Sequence, residues 1–555
     1  MSKKIYLITL VLLCNVRLMG QAPGWAWAKS AGGTGDDYGK DIAQDLNGNK
    51  YVTGGFNSPG ITFGSTTLTN GGVVNFFIVK YDINGNVLWA KGAGGGYHSG
   101  MSVVTDANNN VYVAGTYGSF GTTVFGNDTL PNAGSNDIFI VKYDSNGNVI
   151  WAKGYGGNLA DFPTKICIGS DSNICFTGHF RSNSITFGST VLNVGGSFAE
   201  SFIVKCDTAG NVIWVAGSHN GDDVESYSMA ADAFGNYYIT GFFTGPLTSS
   251  VAFGNIALAN SGGSGFNPAD IFIVKYDSSG DVVWAKRPIA YDSEYGFSIA
   301  ADPGGNIYVT GFFGGSQIVF GNDTLHSTGN WNIFIAKYDS SGASLWGRSA
   351  SGTNQNYGGS VATDINGNNY VTGTYKSSTL TFGSTTLNNA GVEDIFIVKH
   401  DSSGNLQWAE SQGGNSNDVS NNIYVAANNE VYITGNFKSS AIAFGNDTLI
   451  NVSAGTNGDL FFARTDPVFT AVEINSFPSM SIFPNPSPGE INISSAEIID
   501  QVEIRDMMGR VIYYAEPNAK SVQVQMKSRE GPGGIYFVRV RVGTESMVSK
   551  VVLER

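Results

Sequence analysis

Carboxylates recur in this sequence at a fixed distance from a repeated tryptophan. Ten residues beyond Trp27, Trp151, Trp284, Trp346 and Trp408 stand Asp37, Asp161, Glu294, Asn356 and Asp418, with Ser99 after Trp89 and Asp223 and Glu225 close to the same place after Trp214. On one face of a ring such a set would focus negative potential at a channel mouth, where it could hold a cation such as Ca2+ or bind sugar hydroxyls. The alternative is structural: each Asp ties down its own glycine-rich loop by local hydrogen bonds, and repetition in most copies favours it. A glycosidase needs two carboxylates about 5–10 Å apart, and Asp223 and Glu225 are the nearest approach to that. His98, His179, His219, His326 and His400 fall at unrelated places, no metal-binding histidine pair or Gly-x-Ser-x-Gly elbow occurs, and binding is favoured over catalysis. Apart from the Ca2+ option no cofactor is expected.

Three further groups carry potential chemistry. Cys167 and Cys175 flank a predicted hairpin turn and could form a cross-strand disulfide; the competing reading is that Cys175 and Cys206 replace tyrosines of sister copies and stay free. The segment 260–268 lengthens the fourth copy and carries Phe266, a candidate contact residue because insertions in repeats often map to binding faces. Turns of the form Asp-x-Asn-Gly-Asn, as at Asp45 to Asn49 and Asp82 to Asn86, lack the final glutamate of a calcium loop and read as tight β-turns.

The positioning elements are repeats. Tryptophans 27, 89, 151, 214, 284, 346 and 408 are spaced by 62, 62, 63, 70, 62 and 62 residues. An apolar strand such as Ile138 to Lys142 and a Phe/Leu pair such as Phe63/Leu68 each recur seven times. Within one unit the reading is four strands, at 42–45, 51–56, 76–82 and 86–91, with a small hairpin at 62–68. The third strand is apolar on both faces, so its sheet is covered on both sides. Seven four-stranded sheets of this kind predict an all-β fold, a seven-bladed β-propeller over residues 23–465. Because Trp27 precedes every other marker and Leu460 to Arg464 follow the last, the N-terminal strand should complete the final blade. Gly32 to Asp37 with Asp45 to Gly54, and Gly413 to Asp418 with Asn428 to Gly435, resemble the bacterial seven-bladed propeller repeat, a resemblance that implies a fold and no single activity.

The formal net charge is −14. Lys3, Lys4 and Arg17 are basic and the tail is balanced, so the repeats are the acidic part, a poor ligand for nucleic acid or an anionic membrane. Lys3 and Lys4 ahead of the apolar run Ile5 to Leu13 predict a cleaved export signal over residues 1–22, and no later run is long enough to span a bilayer. Residues 466–477 read as a linker and 478–555 as a small Ig-like β-sandwich. In that tail, Ile482-Phe-Pro-Asn-Pro-Ser-Pro-Gly489, Val502 to Val511, Gly534-Ile-Tyr-Phe-Val538 and a terminal strand containing Lys550 resemble the C-terminal sorting domain, type A, of the Bacteroidetes type IX secretion system. The resemblance implies contact with that machinery, passage through the periplasm and release or display at the outer-membrane surface. Asp-Thr-Leu at 128–130, 323–325 and 447–449 is similar to the Bacteroidetes O-glycosylation sequon, which implies glycans on Thr129, Thr324 and Thr448. The expected role is a secreted or cell-surface binding or adhesion scaffold for a glycan or protein; a carbohydrate-acting enzyme and a structural surface-layer protein are the alternatives.

Overall fold

The computed structural model describes residues 22–118, 122–194, 198–246, 248–260, 268–290, 292–453, 455–466, 481–483, 487, 490–506, 511–525, 534–542 and 545–553. The chain divides into two compact units, Met1–Pro467 and Val468–Arg555. Among the described residues every regular element is a β-strand, and the many small antiparallel sheets are consistent with a propeller.

The sheet of residues 37–93 shows how one repeat folds. Strands Asp37–Gln44, Lys50–Phe56, Asn75–Tyr81 and Val87–Ala93 pair antiparallel in chain order. The second and third are buried along their whole length, as their Val, Ile, Phe and Tyr content suits. The third and fourth are joined by a turn that Asp82 closes on itself: Oδ1 accepts the N–H groups of Asn84 and Asn86, both at 2.8 Å, and Oδ2 the Asn86 side chain. Gly85 supplies the positive φ of 78° that this turn requires. Both carboxylate oxygens thus accept protein N–H groups, as in a tight β-turn.

The same four-strand pattern returns over residues 97–155, 161–219, 223–286, 294–349 and 356–412. In the last sheet, strands Asp418–Val425, Val431–Phe437 and Asp459–Thr465 are joined by Trp25–Ala31, with Trp27 opposite Arg464 and Ala31 opposite Leu460. Each hydrophobic cluster in this region bridges two successive sheets. Tyr51, Phe76 and Ile78 pack with Val113, Phe139 and Val141; Trp27, Tyr432 and Phe462 of the last sheet pack with Ile42, Val52 and Phe77 of the first.

The repeated tryptophan is an inter-sheet rivet. The indole N–H groups of Trp89, Trp151, Trp214, Trp284 and Trp346 donate to the carbonyls of Ser145, Thr208, Ser278, Ser340 and Ser402, each in the turn of the following sheet. The turn's glycine is what lets the ring approach: a β-carbon on Gly147 would lie 3.0 Å from Trp89.

The first strand begins at Asp37 rather than at Ile42. Its opening residues, Asp-Tyr-Gly-Lys, carry a bulge between Gly39 and Asp41, and that extra residue breaks the alternation by which a strand is recognised. In the second unit, strands Ser481–Phe483, Glu490–Ile499 and Ala519–Gln525 form one sheet and Gln501–Asp506, Val511–Ala515, Gly534–Val542 and Glu545–Leu553 another. They share a core of Ile491, Ile493, Val502, Ile504, Val538 and Val540, a two-sheet arrangement of the expected kind. Residues 1–21 and 467–477 lie outside the described residues.

Candidate functional site

Asp37, Asp161, Glu294, Asn356 and Asp418 each open the first strand of a sheet. Structural register puts His98, not Ser99, and Val224, not Asp223, at the same place: His98, Val224 and Glu294 all donate their N–H to the sheet before, to the carbonyls of Val74, Ala199 and Ala269. The ring residues are buried, with Asp37, Asp161, Asn356 and Asp418 at 0% exposure, and local donors engage them. Asp161 Oδ1 accepts the N–H groups of Arg181 and Ser182, and Oδ2 those of Gly157 and the Ser182 hydroxyl. Asp37 with Ser58 and Asp418 with Ser439 repeat the arrangement, and Asn356 with Ser377 makes the amide version. Buried acceptors take the nearest donors, so Asp37, Asp161, Asn356 and Asp418 act as local loop staples.

Each staple has an acidic or amide neighbour on the sheet before it. Asp459 is coupled to Asp37, Asp137 to Asp161, Asp270 to Glu294 and Asp394 to Asp418. Burial first, and the neighbouring carboxylate second to its sign, push Asp37, Asp137 and Asp394 up to about 6 and Glu294 up to about 9, against the pull of their hydrogen bonds. Asp137 Oδ1, Asp394 Oδ1 and Asp459 Oδ1 have no hydrogen-bond partner. In two copies an asparagine, Asn75 or Asn332, opens the third strand instead. Among the described residues no three His, Cys, Asp or Glu side chains are grouped as a metal centre would require.

Cys167 and Cys175 stand directly opposite one another, yet both, like Cys206, are free thiols. Burial pushes Cys167 and Cys206 up to about 12, away from the reactive thiolate. Thr129, Thr324 and Thr448 are exposed on small hairpins. The aspartates before them have a structural duty: Asp128, Asp323 and Asp447 accept the N–H groups of Ala152, Gly347 and Ala28 and hold the hairpins to the outer strands. Phe266 lies outside the described residues.

Where the copies disagree, a second kind of site emerges. Just after the staple, the first strands carry Tyr38, Ser99, Phe162, Glu225, Tyr295, Tyr357 and Val419, and across the ladder stand Gly55, Thr116, His179, Phe242, Phe312, Thr374 and Asn436. The bulge residues are Lys40, Met101, Thr164, Tyr227, Phe297, Gly359 and Asn421. Tyr38 and Phe162 are the aromatics at these positions on the first and third sheets, but a connected cluster of rings forms across the fourth, fifth and sixth. Tyr227 lies 5.5 Å from Phe242 and from Phe297, Phe242 lies 4.6 Å from Tyr295, and Tyr295 stacks on Phe312 at 4.9 Å and 18°. Phe312 then meets Trp331 at 5.0 Å and Tyr357 at 5.3 Å. Phe242 and Phe312 form a buried floor beneath the half-buried Tyr227, Tyr295, Phe297, Trp331 and Tyr357.

Polar groups close both ends of this arc. At one, Arg181 Nη2 donates to Glu225 Oε1 at 2.8 Å and His179 Nε2 stands 3.7 Å from the same oxygen. Asp223, pushed up to about 6 by burial and then by Glu225, has an oxygen with no partner there. At the other end the Tyr357 hydroxyl donates to Gln355 Oε1 at 3.2 Å. No single copy announces the arc; it is legible only when the copies are aligned on their bulges.

Comparison with known proteins separates the two parts of the chain. Over 65% of its length the chain is 25% identical to an uncharacterized WD repeat-containing protein of Acanthamoeba polyphaga mimivirus, and it spans 37% of that relative. Among solved structures, Sqt1 from Chaetomium thermophilum aligns over 78% of this chain and 88% of its own at 11% identity and a TM-score of 0.37. PorZ, a surface component of the type IX secretion system of Porphyromonas gingivalis, aligns over 95% and 100% at 11% identity and a TM-score of 0.16. Residues 481–554 match the secretion system C-terminal sorting domain. The molecule is thus an all-β repeat protein whose C-terminal residues are a type IX sorting domain, which implies a place outside the cell, secreted or at its surface.

Proposed function

We propose that this chain is a seven-bladed β-propeller that works outside the cell as a binding or adhesion scaffold, delivered by a type A sorting domain. Its parts would be a cleaved signal over residues 1–22, the propeller over 23–465, a linker over 466–477 and the sorting domain over 478–555. Ring closure is supported by the pairing of Trp25–Ala31 with Asp459–Thr465 and by the apolar cluster shared between the last sheet and the first. The binding role rests on one observation, the connected cluster of aromatic rings on three successive copies, which repetition alone does not require.

The mature protein on arrays of glycans and extracellular proteins tests this reading. Binding without turnover is the expected result; a silent array with self-assembly into sheets would replace the reading with a surface-layer role. A second reading, a carbohydrate-acting enzyme, is favoured by two neighbouring carboxylates in unlike surroundings, Asp223 with an unpartnered oxygen and Glu225 bonded to Arg181. Unlike environments at neighbouring carboxylates are how acid and base roles are divided. Release of shorter products from a bound glycan would select it.

A further inference from the structure

We infer that the arc from Glu225 to Tyr357 is a binding cleft for an uncharged oligosaccharide chain, an inference that rests on the binding role just proposed and names its ligand. A pyranose ring has two faces of C–H groups and a rim of hydroxyls. It is held where flat aromatic rings meet the faces and fixed polar groups meet the rim.

The arc supplies both. Its rings are linked at 4.6–5.5 Å, the half-buried Tyr227, Tyr295, Trp331 and Tyr357 joined through the buried Phe242 and Phe312, a continuous row and not a single platform. That row suits a chain of sugar units better than one. The half-buried rings keep their places because Phe242 and Phe312 fill the space under them, so little side-chain freedom is lost on binding. At the rim, Arg181, whose side chain is 48% exposed, offers a planar donor fork anchored on the buried Glu225 carboxylate. Asp223 lies beside this pair, its Oδ1 buried and without a protein partner. The Tyr295 ring lies within the electrostatic reach of both carboxylates, which joins the polar end to the stacking surface.

Charge selects among glycans. With a formal net charge of −14 and two carboxylates at one end of the cleft, sulfated or uronic acid chains are repelled. An apolar protein segment would have to cover the Arg181–Glu225 pair and leave Asp223 desolvated, which costs affinity.

The sister copies provide substitutions that the repeat already tolerates. Ser99 stands where Tyr295 and Tyr357 do, and Val74, which also precedes a third strand, stands where Trp331 does. The experiment titrates cellohexaose, xylohexaose and mannohexaose, with a heparin hexasaccharide as the anionic comparator, into the mature protein by calorimetry. It is repeated on Tyr295→Ser, Trp331→Val, Arg181→Gln and, in the aromatic-free seventh copy, Val419→Ala. Thermal melting confirms that each variant is folded. The expected result is binding of at least one neutral hexasaccharide, weaker for the corresponding disaccharide. Tyr295→Ser and Trp331→Val should weaken it at least tenfold, Arg181→Gln severalfold, and Val419→Ala should leave it unchanged. Neutral binding that survives both aromatic substitutions moves the site elsewhere and overturns the inference while the binding role stands. Preference for the anionic chain, or array binding to proteins only, also overturns it; a silent array removes the binding role itself.

Discussion

Replacing Asp137 by asparagine should make the protein more stable at neutral pH and leave it nearly unchanged in acid. Asp137 is 1% exposed. Its Oδ2 accepts the Ala133 N–H at 2.6 Å while its Oδ1 has no partner. Burial, and then the Asp161 carboxylate, lift its pKa from 3.8 to about 6 against the pull of that one hydrogen bond. A folded-state pKa above the unfolded one means that the native protein binds the proton more readily. The carboxyl therefore costs nothing below about pH 4, costs progressively more as pH rises to about 6, and its full penalty is present above that. Two pKa units correspond to about 3 kcal/mol, an upper figure, since solvent and structural relaxation reduce it. Asn75 and Asn332 show that the repeat accommodates an amide at this position, Asn75 Nδ2 donating to the Thr69 carbonyl at 3.1 Å. Guanidinium unfolding of the mature Asp137→Asn protein, followed by tryptophan fluorescence at pH 8 and pH 4, is the measurement. A gain of about 1–3 kcal/mol at pH 8 and less than about 0.5 kcal/mol at pH 4 is expected. An equal gain at both pH values, or a loss at pH 8, would refute the reasoning, because neither can come from an ionisation relieved.

Other outcomes follow from the same geometry. Trp27→Ala should cost about 3–5 kcal/mol, and both it and deletion of residues 23–29 should lower the melting temperature, because Trp27 packs in the cluster shared by the last and first sheets; an unchanged melting point would sink ring closure. Ser182→Ala removes the hydroxyl that bonds to Asp161 at 2.8 Å and accepts the Leu159 N–H. A loss of about 1–3 kcal/mol in the unfolding midpoint is expected, with binding affinity untouched. Mass spectrometry of the protein secreted from a type IX host should lose one glycan mass for each of Thr129→Ala, Thr324→Ala and Thr448→Ala. Unaltered masses would leave Asp128, Asp323 and Asp447 with their structural duty alone.

The parts of the sequence that repeat were readable because their chemistry is local. Asp82 and Gly85 must make a turn, Phe76 to Val79 must be covered on both faces, and Trp89 and four of its counterparts tie one sheet to the turn of the next. Prediction failed where the backbone departs from its period. The bulge after Gly39 hid five strand residues, and one residue fewer before His98 placed Ser99 in a position it does not hold. The acidic set looked like a site because carboxylates on a ring would be one. Packing adds what sequence could not give, that Ser58, Ser182 and Ser439 bond to Asp37, Asp161 and Asp418. Tyr295, Phe312 and Trp331 gave no signal in their own segments, since an aromatic in a strand is ordinary; their meaning comes from Ser99, Thr116 and Val74 standing in the same places elsewhere.

The pairing of Trp25–Ala31 with Asp459–Thr465 also has a mechanical consequence. The repeat region ends at the C-terminal end of a strand that is flanked on both sides, by Trp25–Ala31 and by Val431–Phe437. Tension entering at Asp466 and running along that strand would load two hydrogen-bonded ladders in shear, where an outermost strand would have only one. Trp25 lies opposite Thr465, so the two ends of the region emerge side by side, and a pull on one is braced by the other. A protein held at a cell surface by its C-terminal side could bear drag through this clasp without opening its sheets.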